Sequence, residues 1–328
     1  MGFVLRFLLR RLAQGVVIML IVSMAIFTIL RWDDSKKDTP ARLILGPMAT
    51  QDAIDRKTEE LGFNDPIPTQ YLAYIIKVFE GDLGTSYIRA ESGMSLGATQ
   101  DDIQTQRASV LRLMLGALPM TLQLAAVALL IAMLIAVPIG VAAGLNQGHW
   151  PDRLAVYLSS VFVSLPNFWL GIVLAFLLTA QLGWLPSIGY RGFTYTILPA
   201  TVIAIEMAPL FIRSLSVSIA AAVRQNFIAL AHVRGIPSHT IFLRNVLRNI
   251  AVPNLNLFGV QIGALVGGVL IVEYIFDYPG FGLLTVQAVS QRDYPVIQGI
   301  SIISSAIFVI ANILVDLVSA KIDPRVEL

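Results

Sequence analysis

The sequence predicts an all-α membrane protein, and its composition carries this prediction. Hydrophobic residues make up 56% of the 328 residues, charged residues make up only 13%, and the mean hydropathy is +0.75. Soluble globular domains carry about 25% charged residues. The apolar residues also form long runs, and about 20 such residues can cross a bilayer as a helix that pairs its own backbone groups.

Six apolar runs are long enough to be membrane-spanning helices. The fourth is the shortest, and its ends are left open because it contains Glu206 and Pro209. We predict spans at Leu12–Leu30, Leu118–Leu145, Leu154–Leu182, Ile197–Ile212, Leu255–Phe276 and Val296–Ala320.

The distribution of charge predicts the orientation of the chain. Three arginines precede the first span, and five arginines without any Asp or Glu lie in residues 213–253. Cytoplasmic loops carry an excess of Lys and Arg. Residues 31–107 instead hold thirteen acidic against nine basic residues, which favours an external location. We therefore divide the chain into a cytoplasmic tail with the first span (1–30), an external segment (31–110), a membrane core (111–320) and a cytoplasmic tail (321–328).

The external segment is expected to contain some regular structure. Thr69–Glu80 has apolar residues at helical spacing behind two prolines, a pattern typical of a helix. Ala90–Gln106 is polar and has no apolar period, so we expect a loop there. Glycines and prolines in Gly183–Gly192, Asp277–Gly282 and Arg292–Pro295 predict tight turns at helix ends.

The basic segment 213–253 predicts two short helices with a break between them. The first covers Asn226 to Val233, the break falls at Gly235 and Pro237, and Ser238 is expected to cap the second helix. One interpretation is a surface that docks a partner, with Phe227, Ile228 and Ala231 as its apolar face. The other is a loop that is basic only for topology, and sequence physics alone leaves both open.

Two acidic residues within the predicted spans have a functional and a structural interpretation. Glu206 either lines an aqueous pathway or contacts a cationic substrate amine, or it instead pairs with a neighbour such as Arg213 or lies near the membrane interface. Glu273 is expected to be structural, tying a helix end to Arg292 or to a backbone N–H.

The glycines at 140, 144, 259, 263, 267 and 268 fit close helix packing, with a hinge or pore-lining role as the alternative.

No catalytic constellation stands out in the sequence. It contains no GxxxxGK[ST], HExxH or GxSxG motif, and three histidines without any cysteine predict no metal site.

Several motifs, in this order and spacing, resemble those of permease subunits of bacterial ABC importers of the dipeptide, oligopeptide and nickel family. The matching stretches run along nearly the whole chain: GDLGTSY (Gly81–Tyr87), LPMTLQLA (Leu118–Ala125), SLPNFWLGIVL (Ser164–Leu174), VEYIFDYPGFGLL (Val272–Leu284), RDYPVIQG (Arg292–Gly299) and the tail DPR (Asp323–Arg325).

The resemblance implies a type I ABC importer permease fold that forms half of a pathway for peptides. The segment 213–253 would then dock on an ATP-hydrolysing subunit. The partners implied are a second permease, two ATP-binding cassette subunits that bind ATP and Mg²⁺, and an extracytoplasmic binding protein. The chain itself would hold no cofactor, metal or nucleic acid and would lie in the bacterial inner membrane.

The resemblance also assigns roles to individual positions. The coupling residues would be Phe227, Ile228, Ala231, Arg234 and Gly235. Glu206 stays the pathway candidate because of its position within a predicted span, and not because of the resemblance. The structural or gating turns would contain Glu273, Pro279, Gly280, Gly282, Arg292 and Asp293.

Other functions stay open at this point. Related importers carry nickel chelates or oligosaccharides instead of peptides. A secondary transporter or channel would need ion-coupling residues within its spans, for which Glu206 is the good candidate, and inverted repeats are not visible. An intramembrane enzyme would need paired catalytic residues, which the sequence does not offer.

Overall fold

A computed structural model describes residues 2–32, 38–46, 48–90 and 107–322, which are mostly helical with two short strands. Beyond Ala90, the polar loop predicted for Ala90–Gln106 lies outside the described residues, as does the tail from residue 323. In chain order the elements are α1 (Gly2–Arg31), α2 (Thr39–Leu45), α3 (Gln51–Glu60), α4 (Ile67–Phe79), β1 (Thr85–Ala90), β2 (Arg107–Ser109), α5 (Val110–Leu145), α6 (Trp150–Ser164), α7 (Asn167–Ala175, followed by a π-helical stretch Phe176–Gln181), α8 (Thr194–Val223), α9 (Asn226–Val233), α10 (Ser238–Ile241, followed by a π-helical stretch Phe242–Val246), α11 (Leu247–Gly268), α12 (Leu270–Ile275), α13 (Phe281–Gln291) and α14 (Tyr294–Ile322).

Within the described residues, four helices are long and apolar enough to cross a membrane. They are α1 from Leu9, α5, α8 and α14, and they correspond to the predicted first, second, fourth and sixth spans. Helices α6 and α7 make a fifth when they are counted together as one bent span. The predicted fifth span, Leu255–Phe276, covers most of α11 and continues through α12 after a break at Val269. Pro253, two residues before that predicted span, lies inside α11.

The predicted third span is not one straight helix. Helix α6 ends at Ser164, and α7 begins at Asn167 with its axis bent by 93°. Leu165 has extended backbone angles, φ −89° and ψ 120°. The cause is Pro166, because a proline disfavours the helical conformation of the residue before it.

The chain divides into two compact units. The first unit comprises residues 1–8, 121–279 and 307–328. Its central element is α8, whose most apolar window is 67% buried, whereas the other three candidate spans reach at most 28%. Helices α6, α7, α11 and α12 all pack against α8, so this helix forms the middle of the unit.

Glycines let helices of the first unit approach closely. A Cβ added at Gly144 of α5 would lie 2.7 Å from the Cβ of Ile219 in α8, and one at Gly140 would lie 2.8 Å from the Cβ of Leu215. A Cβ added at Gly259 of α11 would lie 2.6 Å from Cγ2 of Val315 in α14. These contacts support the packing interpretation of the three glycines, since no larger residue fits without moving a neighbour.

The second unit comprises residues 9–120 and 280–306 and contains the elements α2, α3, α4, β1 and β2. Its strands pair antiparallel, with Thr85 opposite Ser109 and Ala90 opposite Arg107. This two-stranded ribbon corrects the purely helical prediction. The predicted helix at Thr69–Glu80 is present as α4 and begins two residues earlier, with a proline in its first turn.

Candidate functional site

The short helix α9 has the bounds that the sequence predicts, and Gly235 ends it. The N–H of Gly235 donates to the carbonyl of His232 at 3.0 Å, and the N–H of Ile236 donates to that of Ala231 at 3.2 Å. This bond pattern with a left-handed residue, φ +71° at Gly235, is a Schellman motif. The next helix begins at Ser238 itself with Pro237 at its N-cap, so the prediction that Ser238 is the cap was wrong by one residue.

One face of α9 is buried in the protein's own core. Ile228 is 3% exposed and Ala231 is 7% exposed, and both belong to an apolar cluster with residues of α8, α10 and α11. The cluster consists of Ile219, Ala222, Ile228, Ala231, Ile241, Val246 and Ile250. Our assignment of Ile228 and Ala231 to a docking face therefore needs correction, because they hold α9 on the rest of the chain.

The opposite face of α9 is apolar and exposed. Phe227 is 38% exposed, Leu230 is 59% exposed and Val233 is 86% exposed. Arg234 follows at the C-cap and is also exposed. Exposed apolar residues on a helix bordered by arginines are typical of a protein interaction surface. We call Phe227, Leu230, Val233 and Arg234 the α9 surface.

An exposed stripe with charged residues runs along α8. Its members recur at intervals of three and four residues and therefore share one helical face: Glu206, Leu210, Arg213, Val217, Ala221 and Arg224. The carboxylate of Glu206 accepts a hydrogen bond of 2.6 Å from the side-chain amide of Asn167, at the start of α7. The predicted pairing of Glu206 with Arg213 is replaced by this contact in the described chain.

A groove of about 580 Å³ lies between α6 and α8. Its polar lining includes Asp152, Ser159 and Ser160 of α6 and Arg213 and Ser216 of α8. The hydroxyl oxygen of Ser159 is buried and has no hydrogen-bond partner within the described residues. The groove thus offers several hydrogen-bonding groups between two otherwise apolar helices.

Glu273 is fully buried and accepts a 2.7 Å hydrogen bond from the hydroxyl of Thr121. Its carbonyl also accepts from the N–H of Tyr278 at 2.8 Å. The Tyr278 hydroxyl lies 3.1 Å from that of Thr196, which in turn accepts from Gln123 at 2.8 Å. A structural role for Glu273 fits these surroundings, and Thr121 is a hydrogen-bond partner that the sequence did not indicate.

Asp293 connects the turn before α14 to strand β1 in the second unit. Its carboxylate accepts hydrogen bonds from the Ser86 hydroxyl and, at 3.0 Å, from the N–H of Tyr87. Burial raises the pKa of Asp293, while these hydrogen bonds and the nearby guanidinium groups of Arg89 and Arg107 oppose that rise. The carboxylate therefore fixes the local turn.

The remaining predicted turn residues lie around α13. Gly280 is its N-cap, Gly282 is buried in its first turn, and Pro279 is exposed just before it. Arg292 is the C-cap in the left-handed conformation, with φ 59°. These positions are turn residues by geometry.

Sequence reasoning missed three residues that the structure brings forward. Asn167 gave a signal, since it follows a proline in the middle of an apolar run, and Arg213 was considered only as a partner for Glu206. Ser159 gave no signal in the sequence. No group of three His, Asp or Glu side chains that could hold a metal ion is found among the residues described.

Two family matches together extend over most of the sequence. Residues 136–328 match the family described as binding-protein-dependent transport system inner membrane component. Residues 4–125 match the N-terminal region of such membrane components.

Individual relatives agree with this assignment. The chain is 32% identical over 323 residues to the glutathione transport system permease protein GsiC of Salmonella paratyphi A, covering 98% of this chain and 99% of that one. It is 30% identical to GsiC of Escherichia coli K12 with the same coverage. A protein of Sinorhizobium fredii named "Probable peptide ABC transporter permease protein y4tP" is 29% identical over 329 residues, again covering 98% and 99%.

The fold is also similar to a solved transporter. The structure of the MetNI methionine ABC transporter in inward-facing conformations matches with a TM-score of 0.56 at 15% identity, covering 65% of this chain and 98% of that chain. This similarity supports the type I permease fold. The chain is a multi-pass inner-membrane transport component and not a catalytic subunit, and it belongs to the binding-protein-dependent ABC permeases of the peptide family.

Proposed function

We propose that this permease forms half of an ATP-driven import path for short peptides and is moved through the α9 surface. It would cross the membrane six times with both termini in the cytoplasm. A second permease would complete the path, two ATP-binding cassette subunits would bind ATP and Mg²⁺, and an extracytoplasmic binding protein would deliver the peptide.

The α9 surface supports the coupling part of this proposal. Ile228 and Ala231 fix the helix to α8, α10 and α11, so a force on the exposed side reaches the membrane helices directly. Arg224, Arg234, Arg244 and Arg248 are exposed around it, and residues 213–253 contain no acidic residue. The partner surface should therefore be acidic around an apolar pocket.

The exposed stripe of α8 supports the proposal that this helix lines the import path. A stripe with Glu206, Arg213 and Arg224 is unsuited to contact lipid, because charged groups in the membrane face a bundle interior or a water-filled cavity. The broken backbone at Leu165–Pro166 lies beside Glu206, through Asn167. Irregular backbone at membrane depth is tolerated where it lines such a cavity or is buried in protein.

The spacing of opposite charges on this stripe favours a peptide. Glu206 and Arg213 are seven residues apart on one helical face, which places their backbone positions about 10 Å apart along the axis. An extended chain spans at most about 3.5 Å per residue, so a peptide of about three residues could present its ammonium group to Glu206 and its carboxylate to Arg213. This charge pair is the observation on which the peptide assignment depends.

Two alternatives remain as outcomes of the test. Oligosaccharides carry no terminal charges, and nickel chelates have no ammonium group at that spacing. A secondary transporter would move substrate without nucleotide. In the described residues, Glu206 is an ionisable residue of the kind such a mechanism needs.

The test is uptake of radiolabelled trialanine by the complete transporter in proteoliposomes. Glu206→Gln and Arg213→Gln should each raise the KM about ten-fold, as expected when one charge-assisted hydrogen bond is lost, with ATP required throughout. Arg191→Gln is the matched control, since Arg191 is an exposed arginine outside the spans. An unchanged KM in both variants would exclude the α8 stripe as the import path. Uptake without ATP would favour a secondary transporter.

A further inference from the structure

A cavity of about 400 Å³ lies within the second unit, away from the stripe and groove described above. It is lined by the C-terminal end of α1, the turn after α3, helix α4, the segment leading into β1 and the start of α14. The side chains on which the argument depends are Arg31, Tyr74 and Gln298, with Asp65 and Asp82 also in the lining.

Three polar groups in the lining are buried without a partner. They are Nε and Nη1 of Arg31, the hydroxyl of Tyr74 and Nε2 of Gln298, and none of them has a hydrogen bond within the described part of the chain. Buried polar groups in native proteins are nearly always paired, because leaving one unpaired costs free energy. All three can donate, so the group that completes them must be an acceptor.

The guanidinium of Arg31 is held in place by aromatic rings. Its Cζ lies 3.8 Å from the ring centre of Phe27 and 5.0 Å from that of Phe63. Cation–π contacts stabilise the charge of the guanidinium. They leave its N–H groups, which lie in the guanidinium plane, available for hydrogen bonds. Burial raises the pKa of the Tyr74 hydroxyl, which keeps it protonated as a donor. The deep part of the cavity therefore carries one fixed positive charge and two neutral donors.

The exposed part of the cavity carries two carboxylates and one ammonium group, those of Asp65, Asp82 and Lys77. Asp65 and Asp82 are exposed, and the Asp82 carboxylate is oriented by a 2.8 Å hydrogen bond from the N–H of Gly84. A doubly charged phosphate would be repelled by these two carboxylates and matched by only one buried cation. A molecule with a carboxylate at one end and an ammonium group at the other matches both ends.

We propose that this cavity binds a small zwitterion, an amino acid or a short peptide, with its carboxylate on Arg31, Tyr74 and Gln298 and its ammonium group near Asp65. The volume is within the 300–1,000 Å³ range of small-molecule sites. The site belongs to the N-terminal family region, residues 4–125, together with the helix that starts at Tyr294. Binding here requires neither ATP nor transport, so the proposal stands or falls independently of the proposed function.

The experiment is calorimetric titration of the purified full-length chain in phosphatidylcholine nanodiscs with trialanine and with trialanine amide. The free acid should bind saturably, and the amide, which lacks the carboxylate, should bind at least ten-fold more weakly. Tyr74→Phe removes one donor and should weaken trialanine binding about five-fold. Tyr157→Phe is the matched control, because Tyr157 is 67% exposed on α6, and it should have no effect.

Several results would overturn the proposal. No saturable binding would mean that water alone fills the cavity. Equal binding of acid and amide would remove the carboxylate contact, and unchanged binding in Tyr74→Phe would place the ligand elsewhere. If Arg213→Gln abolishes trialanine binding, the peptide binds at the α8 stripe and not in this cavity. Loss of trialanine binding in phosphatidylethanolamine nanodiscs would identify a lipid headgroup, the other source of a zwitterion, as the occupant.

Discussion

Truncating Leu230 on the α9 surface should weaken the binding of the ATPase subunit about ten-fold. Leu230→Ala removes three carbon atoms, worth about 2.4 kcal/mol when they pass fully from water into an apolar contact. Leu230 is 59% exposed in the chain alone, so docking can bury about that share, which gives about 1.4 kcal/mol. A change of this size is ten-fold in Kd.

The assay is the affinity of the purified ATP-binding cassette subunit for the permease in nanodiscs. Leu72→Ala is the matched control, because Leu72 is 61% exposed on helix α4 of the second unit, and it should leave the affinity unchanged. Ile228→Ala should behave differently from Leu230→Ala. It creates a cavity in the chain's own core and should lower the stability of the chain by about 2–5 kcal/mol. Equal affinities of Leu230→Ala and wild type would refute the assignment of the α9 surface.

Two further predictions concern stability. Gly144→Val should destabilise the chain by about 1–3 kcal/mol, because its Cβ would lie 2.7 Å from that of Ile219. Gly116→Val on the same helix, where a Cβ meets nothing within 4 Å, should change the melting temperature little, and equal shifts for the two variants would contradict the packing argument. Burial raises the pKa of Asp293 above its ordinary value of 3.8, so the folded chain keeps a proton that the unfolded chain has lost. The contribution of Asp293 to stability is therefore present below pH 3.8 and lost as the pH rises through the raised pKa. The melting temperature of Asp293→Asn, relative to wild type, should accordingly be higher at pH 7 than at pH 4, and a difference independent of pH would exclude this linkage.

Local chemistry made the helix α9 predictable. The sequence from Asn226 to Val233 followed by Gly235 predicts both its bounds and its left-handed end, because only the neighbouring residues decide them. The side of α9 that faces the core depends on its contacts with α8, α10 and α11. These contacts bury Ile228 and Ala231, which we had assigned to the docking face.

The break at Leu165–Pro166 shows a second limit of sequence reasoning. The apolar run continues through the proline, so composition predicts one span, whereas the backbone bends by 93°. The short strands β1 and β2 were missed for a related reason, since residues 85–90 pair with a segment from which 16 intervening residues separate them. Glu206 was identified from its position alone, but its partner Asn167 became evident only when α7 and α8 were brought together.

We propose that this chain does not drive transport itself and that a separate ATPase moves it through the α9 surface. The most direct measurement is the accumulation of trialanine in proteoliposomes that contain the permeases and binding protein with or without the ATP-binding cassette subunits. We predict accumulation only when those subunits and ATP are both present. Accumulation against a gradient by the permeases without them would contradict the account.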